Sequence, residues 1–119
     1  MAVPSHGFRD ILTQAAPFMA PGIPVLSLAK GLELGSLKRM TVLIGEAAPG
    51  HPTAVLTGPN LAREVVAGHP AASVVAAGDP TLATELQDLL SHETFRVYTN
   101  PDVVGCELAG ALKNVMAIA

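Results

Sequence analysis

The sequence predicts an α/β fold, a mostly parallel sheet covered by helices, and two observations carry that expectation. Short β-rich apolar runs alternate with amphipathic segments of about ten residues, and the joints between them are short and marked by proline and glycine. No internal repeat or low-complexity tract breaks the rhythm.

The chain opens on Val3-Pro4-Ser5-His6, an apolar piece cut off by a proline. Over 8–19, Phe8, Ile11, Leu12, Ala15 and Phe18 or Met19 recur at helical spacing, and Pro21-Gly22 ends the segment. Residues 24–29 read as a short buried strand, with Lys30-Gly31 as its sharp exit. A second helix is expected over 37–47, with Met40, Leu43, Ile44 and Ala47 on one side and Pro49-Gly50 closing it. Then come a strand over 53–57, the turn Gly58-Pro59-Asn60, a short helix over 61–67 and a β-rich run over 71–77. Gly78-Asp79-Pro80 turns into a helix over 81–91, where Leu82, Leu86, Leu89 and Leu90 form the buried stripe. A strand over 95–99 leads through Asn100-Pro101-Asp102 to the last helix.

Asp102 is a good N-cap, because its carboxylate accepts free N–H groups of the first turn. From Val103 onward the segment is apolar nearly all round, the pattern of a buried helix. Gly105, Ala109, Gly110 and Ala111 make it thin enough for a neighbouring backbone or a flat ligand ring to come close. Into this setting the sequence places Lys113 and Asn114. Desolvation disfavours a charged lysine and brings it towards the range useful for proton transfer. The plainer reading is that Lys113 snorkels to water or pairs with a carboxylate. Glu107, six residues earlier, lies on the other side of the helix and is not its obvious partner.

Half of the 119 residues are hydrophobic and 14% are charged, against about 25% in an ordinary soluble domain; the mean hydropathy is +0.44. No apolar run reaches the roughly 18 to 20 residues of a membrane helix, so some apolar faces are expected to lie against further protein. A net charge of -3 without a basic cluster argues against nucleic acid. The single cysteine, Cys106, excludes an internal disulfide and fits a reducing compartment; with no signal peptide at Met1, the cytoplasm is expected. His6, His51, His69 and His92 show no metal-ligand spacing, so no metal site is expected. Cys106 reads as packing, and Ser5 and Ser27 lack a nucleophile-elbow pattern.

In open α/β sheets ligands bind beyond the carboxyl ends of the strands. Lys30, at such an exit, is a point charge able to meet a phosphate or polarise a carbonyl, or else an ordinary solvated loop lysine. Thr57-Gly58-Pro59-Asn60-Leu61-Ala62 feeds a helix N-terminus, which favours an anion or a polar substrate oxygen, or else is a plain β–α turn.

In order and spacing, five stretches resemble the NAD(P)-dependent glycerol-3-phosphate dehydrogenases. They are Val3-Pro4-Ser5, Ala29-Lys30-Gly31, Leu56-Thr57-Gly58-Pro59-Asn60-Leu61-Ala62, Arg96-Val97-Tyr98-Thr99-Asn100-Pro101-Asp102 and Gly110-Ala111-Leu112-Lys113-Asn114. The resemblance covers essentially the whole chain. It implies a partial Rossmann-like, doubly wound sheet, with 1–100 as the later part of an NAD(P)-binding domain and 101–119 as the first helix of an α-helical substrate domain. The implied activity interconverts sn-glycerol 3-phosphate and dihydroxyacetone phosphate with NAD or NADP, feeding glycerophospholipid synthesis. A small phosphorylated substrate is the implied partner, and a homodimer stays open for the full-length enzyme. By the same resemblance Lys113 is the catalytic proton donor and acceptor and contacts substrate. Lys30 contacts both cofactor and substrate, Gly58 and Asn60 touch the glycerol phosphate, Asn114 helps hold it, and Ala62 lies on the dinucleotide.

The departures are specific. Asn60 replaces the usual serine, and Pro101 looks inserted in the Thr-Asn-Asp turn. No Gly-x-Gly-x-x-Gly is present to cradle a pyrophosphate, and the family's Arg-Asn substrate clamp lies beyond Ala119. An internal piece of the enzyme, inactive by itself, is therefore expected. Two rivals remain: a related β-hydroxyacid dehydrogenase, against which the Gly-Pro-Asn-Leu-Ala turn and the Val-Tyr-Thr-Asn run argue, and a non-catalytic α/β binding remnant, favoured by the missing glycine loop. The residue that reads the ribose lies upstream in the family, so NAD against NADP stays open.

Overall fold

A computed structural model describes residues 1–118, with the side chains of Asn114, Met116 and Ala117 outside the description. Strands β1 (Val25–Ser27), β2 (Thr53–Thr57), β3 (Ala71–Ala77) and β4 (Phe95–Asn100) form one four-stranded sheet in the order β1-β2-β3-β4. The outer pairs are parallel and the middle pair, β2 with β3, is antiparallel. The connection explains that exception. Helix α3 (Ala62–Val66) has five residues, and at about 1.5 Å per residue it covers less than half the length of β2. It cannot carry the chain back along the sheet, so β3 returns beside β2 in the opposite sense. The carboxyl ends of β1 and β2 therefore share one end of the sheet with the amino ends of β3 and β4.

Side chains alternate between the two faces. Ala54, Val75, Ala77 and Val97 pack against Leu82 and Ala83 of α4 (Pro80–Leu90). On the other face Val25 packs under α1 (Phe8–Ala15) and α2 (Met40–Ala47), where Phe8, Leu12, Leu43 and Ile44 are fully buried. Helix α5 (Val103–Ile118) lies on that second face, against β2 and β3. Asp79 caps α4 by accepting Thr81 N–H at 2.8 Å, and Asp102 caps α5 by accepting Gly105 N–H at 2.8 Å.

Four expectations need correction. The helix over 8–19 stops at Ala15 and finishes in the 3-10 turn Ala16–Phe18, because Pro17 has no N–H to continue the ladder; Phe18 is exposed. The helix expected from Leu37 starts at Met40, since Leu37 holds φ 56°, outside the right-handed region. On α4 the packed side is centred on Ala83, Leu86 and Leu90, with Gln87 Nε2 donating to Val97 O at 2.7 Å, so Leu89 falls at the rim and faces water. Lastly, α5 is not buried all round. It is held on its Glu107 and Gly110 side, while Val104, Leu112, Val115 and Ile118 face outward, and Lys113 is exposed rather than set in a dry pocket.

Candidate functional site at the carboxyl ends of β1 and β2

Because β1 and β2 run parallel, their exit loops leave side by side. The Lys30 ammonium donates to the carbonyl oxygen of Gly58 at 2.7 Å, joining the two loops that the strand-exit argument singled out. Gly31 follows with φ 134°, a backbone that side-chain-bearing residues rarely adopt, and a Cβ there would stand 2.8 Å from Ser5 Oγ. The Val3-Pro4-Ser5 stretch thus reaches the same place. On the second loop Asn60 turns inward, its Nδ2 donating to the buried hydroxyl of Ser73, the third residue of β3.

These loops open onto a cleft of about 400 Å³ lined by Lys30, Gly58, Asn60 and Ala62, with Leu28 and Leu56 among its apolar walls. The size is in the range of small-molecule sites, and a few polar groups on an apolar wall are their usual chemistry. Four of the predicted site residues are thereby gathered.

Lys113 comes to this end of the sheet by another route. Helix α5 crosses the end of β2 at Gly110, where a Cβ would lie 2.8 Å from Thr57 Oγ1 and 3.9 Å from Lys30 Cγ. Only a residue without a side chain lets the helix sit so close. Lys113 follows within one turn, as a helix repeats about every 3.6 residues. It does not line the cleft, and the side chain of Asn114 lies outside the described residues. Among the described residues neither Lys30 nor Lys113 has a carboxylate within ion-pair reach. Two such cations at one end of a sheet suit an anionic ligand.

What holds α5 there is a pairing that no local pattern in the sequence displays. Glu107 is buried and accepts from Arg39 Nη1 at 2.6 Å, Thr41 Oγ1 at 2.6 Å and Thr41 N–H at 2.9 Å. The available signal was the start of α2: Arg39 stands at the N-cap with no side-chain acceptor to offer, so some other group must meet the free N–H groups. Ser73 carries no such signal, because a serine inside an apolar run gives no hint of a partner on another loop. Among the described residues no group of three His, Cys, Asp or Glu side chains gathers to hold a metal ion, and no helix is long and apolar enough to cross a membrane.

Comparison with known proteins gives a consistent result. Residues 1–83 match the family model described as the N-terminus of NAD-dependent glycerol-3-phosphate dehydrogenase. The chain is 58% identical over 119 residues to glycerol-3-phosphate dehydrogenase [NAD(P)+] 2 of Sphingopyxis alaskensis, covering 100% of this chain and 36% of that one. It is 56% identical over the same length to glycerol-3-phosphate dehydrogenase [NAD(P)+] of Mycobacterium avium, covering 35% of it. A crystal structure of glycerol-3-phosphate dehydrogenase from Coxiella burnetii superimposes with a TM-score of 0.90 at 34% identity, over 98% of this chain and 36% of that one. The chain spans about a third of the length of these relatives.

Proposed function

The chain belongs to the NAD-dependent glycerol-3-phosphate dehydrogenase family, and from that premise we propose that the whole protein is an oxidoreductase interconverting sn-glycerol 3-phosphate and dihydroxyacetone phosphate with NAD or NADP. In this reading residues 1–100 contribute to the dinucleotide-binding unit and 101–119 begin the helical one, and a reducing cytoplasm is the setting that fits a lone Cys106.

The observation that carries the reading is the convergence of Lys30, Gly58, Asn60 and Ala62 on one cleft, with Gly110 bringing the Lys113 helix against Lys30. The cleft fits part of a dinucleotide: its apolar wall suits a ring and its lysine suits a phosphate, while nothing in this sequence supplies a glycine-rich pyrophosphate cradle. Lys30 and Ala62 are the residues that would hold the cofactor, and the nicotinamide supplies a hydride acceptor or donor when bound. The chain's own residues do the rest. Lys30 sets a positive charge beside the substrate phosphate. Gly58 and Asn60 fix the substrate's polar end, and Asn114 helps hold the substrate. Lys113 accepts the C2 hydroxyl proton during oxidation and returns a proton to the alkoxide oxygen during reduction.

In the full-length protein, Lys113→Met keeps side-chain length and deletes the proton carrier, so kcat should fall by about 10² to 10⁴ with folding intact. Lys30→Ala, measured beside it, should raise KM for dihydroxyacetone phosphate and also lower kcat, because a cation near the phosphate favours ground and transition states alike. Near-normal turnover of Lys113→Met rejects the proton role.

A further inference from the structure

We propose that Glu107 and Arg39 are positioning residues, forming a clamp that sets how the Lys30 loop lies on the Lys113 helix; the inference rests on the roles proposed above for the two lysines. The loop leaves β1 at Lys30 and enters α2 at Arg39. It is closed on itself by the Leu32–Arg39 bridge and by Glu33 N–H donating to Lys38 O at 2.9 Å. One of its ends lies close to α5 and the other is bonded to it. At the first, the Lys30 stem comes within 3.9 Å of where a Gly110 Cβ would be. At the second, Arg39 and Thr41 bind the Glu107 carboxylate. Loop and helix are therefore bonded at Arg39 and run close together at Lys30, with one lysine in the loop and the other a turn beyond Gly110 on the helix.

The chemistry of the second tie makes it directional. Helix α2 has no cap of its own, and the carboxylate of α5 takes that place at the positive end of its dipole. The Glu107 side chain is 4% exposed and the Arg39 side chain 26%. A charge so buried is costly unless paired, and its removal leaves the partner uncompensated. An apolar contact of equal area would hold α5 on the sheet yet let it roll. A carboxylate with Arg39 Nη1, Thr41 Oγ1 and Thr41 N–H at fixed positions does not. Glu107, Gly110 and Lys113 follow one another by less than a turn each, so a roll at Glu107 is carried directly to Lys113. A shift of about 1 Å in a reacting group costs on the order of 10²-fold in rate.

The test uses the full-length protein with Glu107→Gln, Arg39→Met, the double variant, and the mild Thr41→Val, which removes one hydrogen bond. Turnover is measured per folded molecule, the folded fraction coming from urea unfolding. In parallel, isotope-labelled dimethyl-lysine NMR signals are recorded for Lys30 and Lys113. The clamp predicts a kcat loss of about 10- to 100-fold in either single variant, less in Thr41→Val, with KM for the cofactor changed less than about twofold. The double variant should be no worse than the singles, because one shared contact is lost only once. Both lysine signals should move in Glu107→Gln and stay in place in Leu89→Ser, an exposed change on α4 away from the cleft. Unmoved signals overturn the clamp, and so does unchanged kcat per folded molecule in an enzyme that Lys113→Met inactivates. Turnover that survives Lys113→Met overturns the proton role instead, and the NMR signals then decide the clamp by themselves.

Discussion

Phe8 and Val66 are both apolar and both helical, yet Phe8 is 0% exposed and Val66 is 88% exposed. They stand for two regions built on different principles. Under α1 and α2, side chains at helical spacing interlock over Val25, and the region is held by the area it removes from water. At the end of the sheet that carries the site, α3 and α5 leave much apolar surface uncovered, and the loops and α5 are fixed by polar contacts: Lys30 on Gly58 O, Asn60 on Ser73, Glu107 on Arg39 and Thr41. The first region should answer a mutation with lost stability, and the second with altered geometry.

The largest effect expected lies in the first region. Phe8→Ala should destabilise by about 3 to 5 kcal/mol, the cost of emptying a sealed aromatic site, read as a fall in the urea midpoint at unchanged slope. Val66→Ser, an exposed change in α3, should stay within about 0.5 kcal/mol. If Val66→Ser proves as costly as Phe8→Ala, the open face is covered in the folded protein and the contrast between the regions fails.

The same contrast decides what could be read from the chain alone. Phe8, Leu12, Leu43 and Ile44 advertise themselves by period, and β2 and β3 have the same bounds in the structure as in the sequence reading. The Asp102 cap is equally legible, because a cap is a local device. The position of Lys30 was legible as a strand exit and its neighbour Gly58 as another; that one would bond the other needed only parallel β1 and β2. Pairings across long sequence distance were not. Glu107 and Arg39 are 68 residues apart, and nothing periodic links them. The antiparallel β2–β3 pair was hidden for a related reason: it depends on how short α3 is, and helix ends are set by caps and tertiary contacts more than by pattern. The burial expected of α5 came from composition, which counts apolar residues without knowing how many neighbours there are to cover them.

A smaller effect should follow from acid. Arg9 pairs with Glu33 at 2.6 Å and with Glu46 at 2.9 Å, and Lys38 pairs with Glu46 at 2.6 Å, tying α1, the Lys30–Arg39 loop and α2 together at the surface. The Arg9 guanidinium first, then the Ser36 hydroxyl, hold the Glu33 carboxyl down to about 2, from an ordinary value of 4.5, and Lys38 and Arg9 hold Glu46 low as well. Since the folded state prefers the ionised form, the contribution is present above about pH 4.5 and is lost as pH falls towards 2. Water and salt screen such exposed pairs, so the effect should be slight and should shrink in high salt. Melting temperatures at pH 5 and pH 3 should differ less in Glu33→Gln than in the unmodified protein. Equal pH dependence in the two removes this network from the ties of the Lys30 loop.

The smallest effect expected is chemical rather than energetic, and it probes the open end without disturbing it. Cys106 sits one turn into α5, partly buried beside the tied strip. Burial pushes its thiol up, and the Asp102 carboxylate four residues earlier adds to the rise. Only the thiolate is alkylated, so a raised thiol means a smaller reactive fraction at pH 8 and a slower reaction than for a free cysteine. Iodoacetamide labelling, followed at Cys106 by peptide mass, should be slow in the folded protein and recover in urea. Asp102→Asn separates the two causes, because asparagine is as good an N-cap and leaves the helix start intact. Removing the charge should speed labelling only modestly, since burial is the larger cause and remains. A rate in Asp102→Asn equal to that in urea contradicts this order of causes and makes the capping charge, rather than packing against β2 and β3, what protects the inner side of α5.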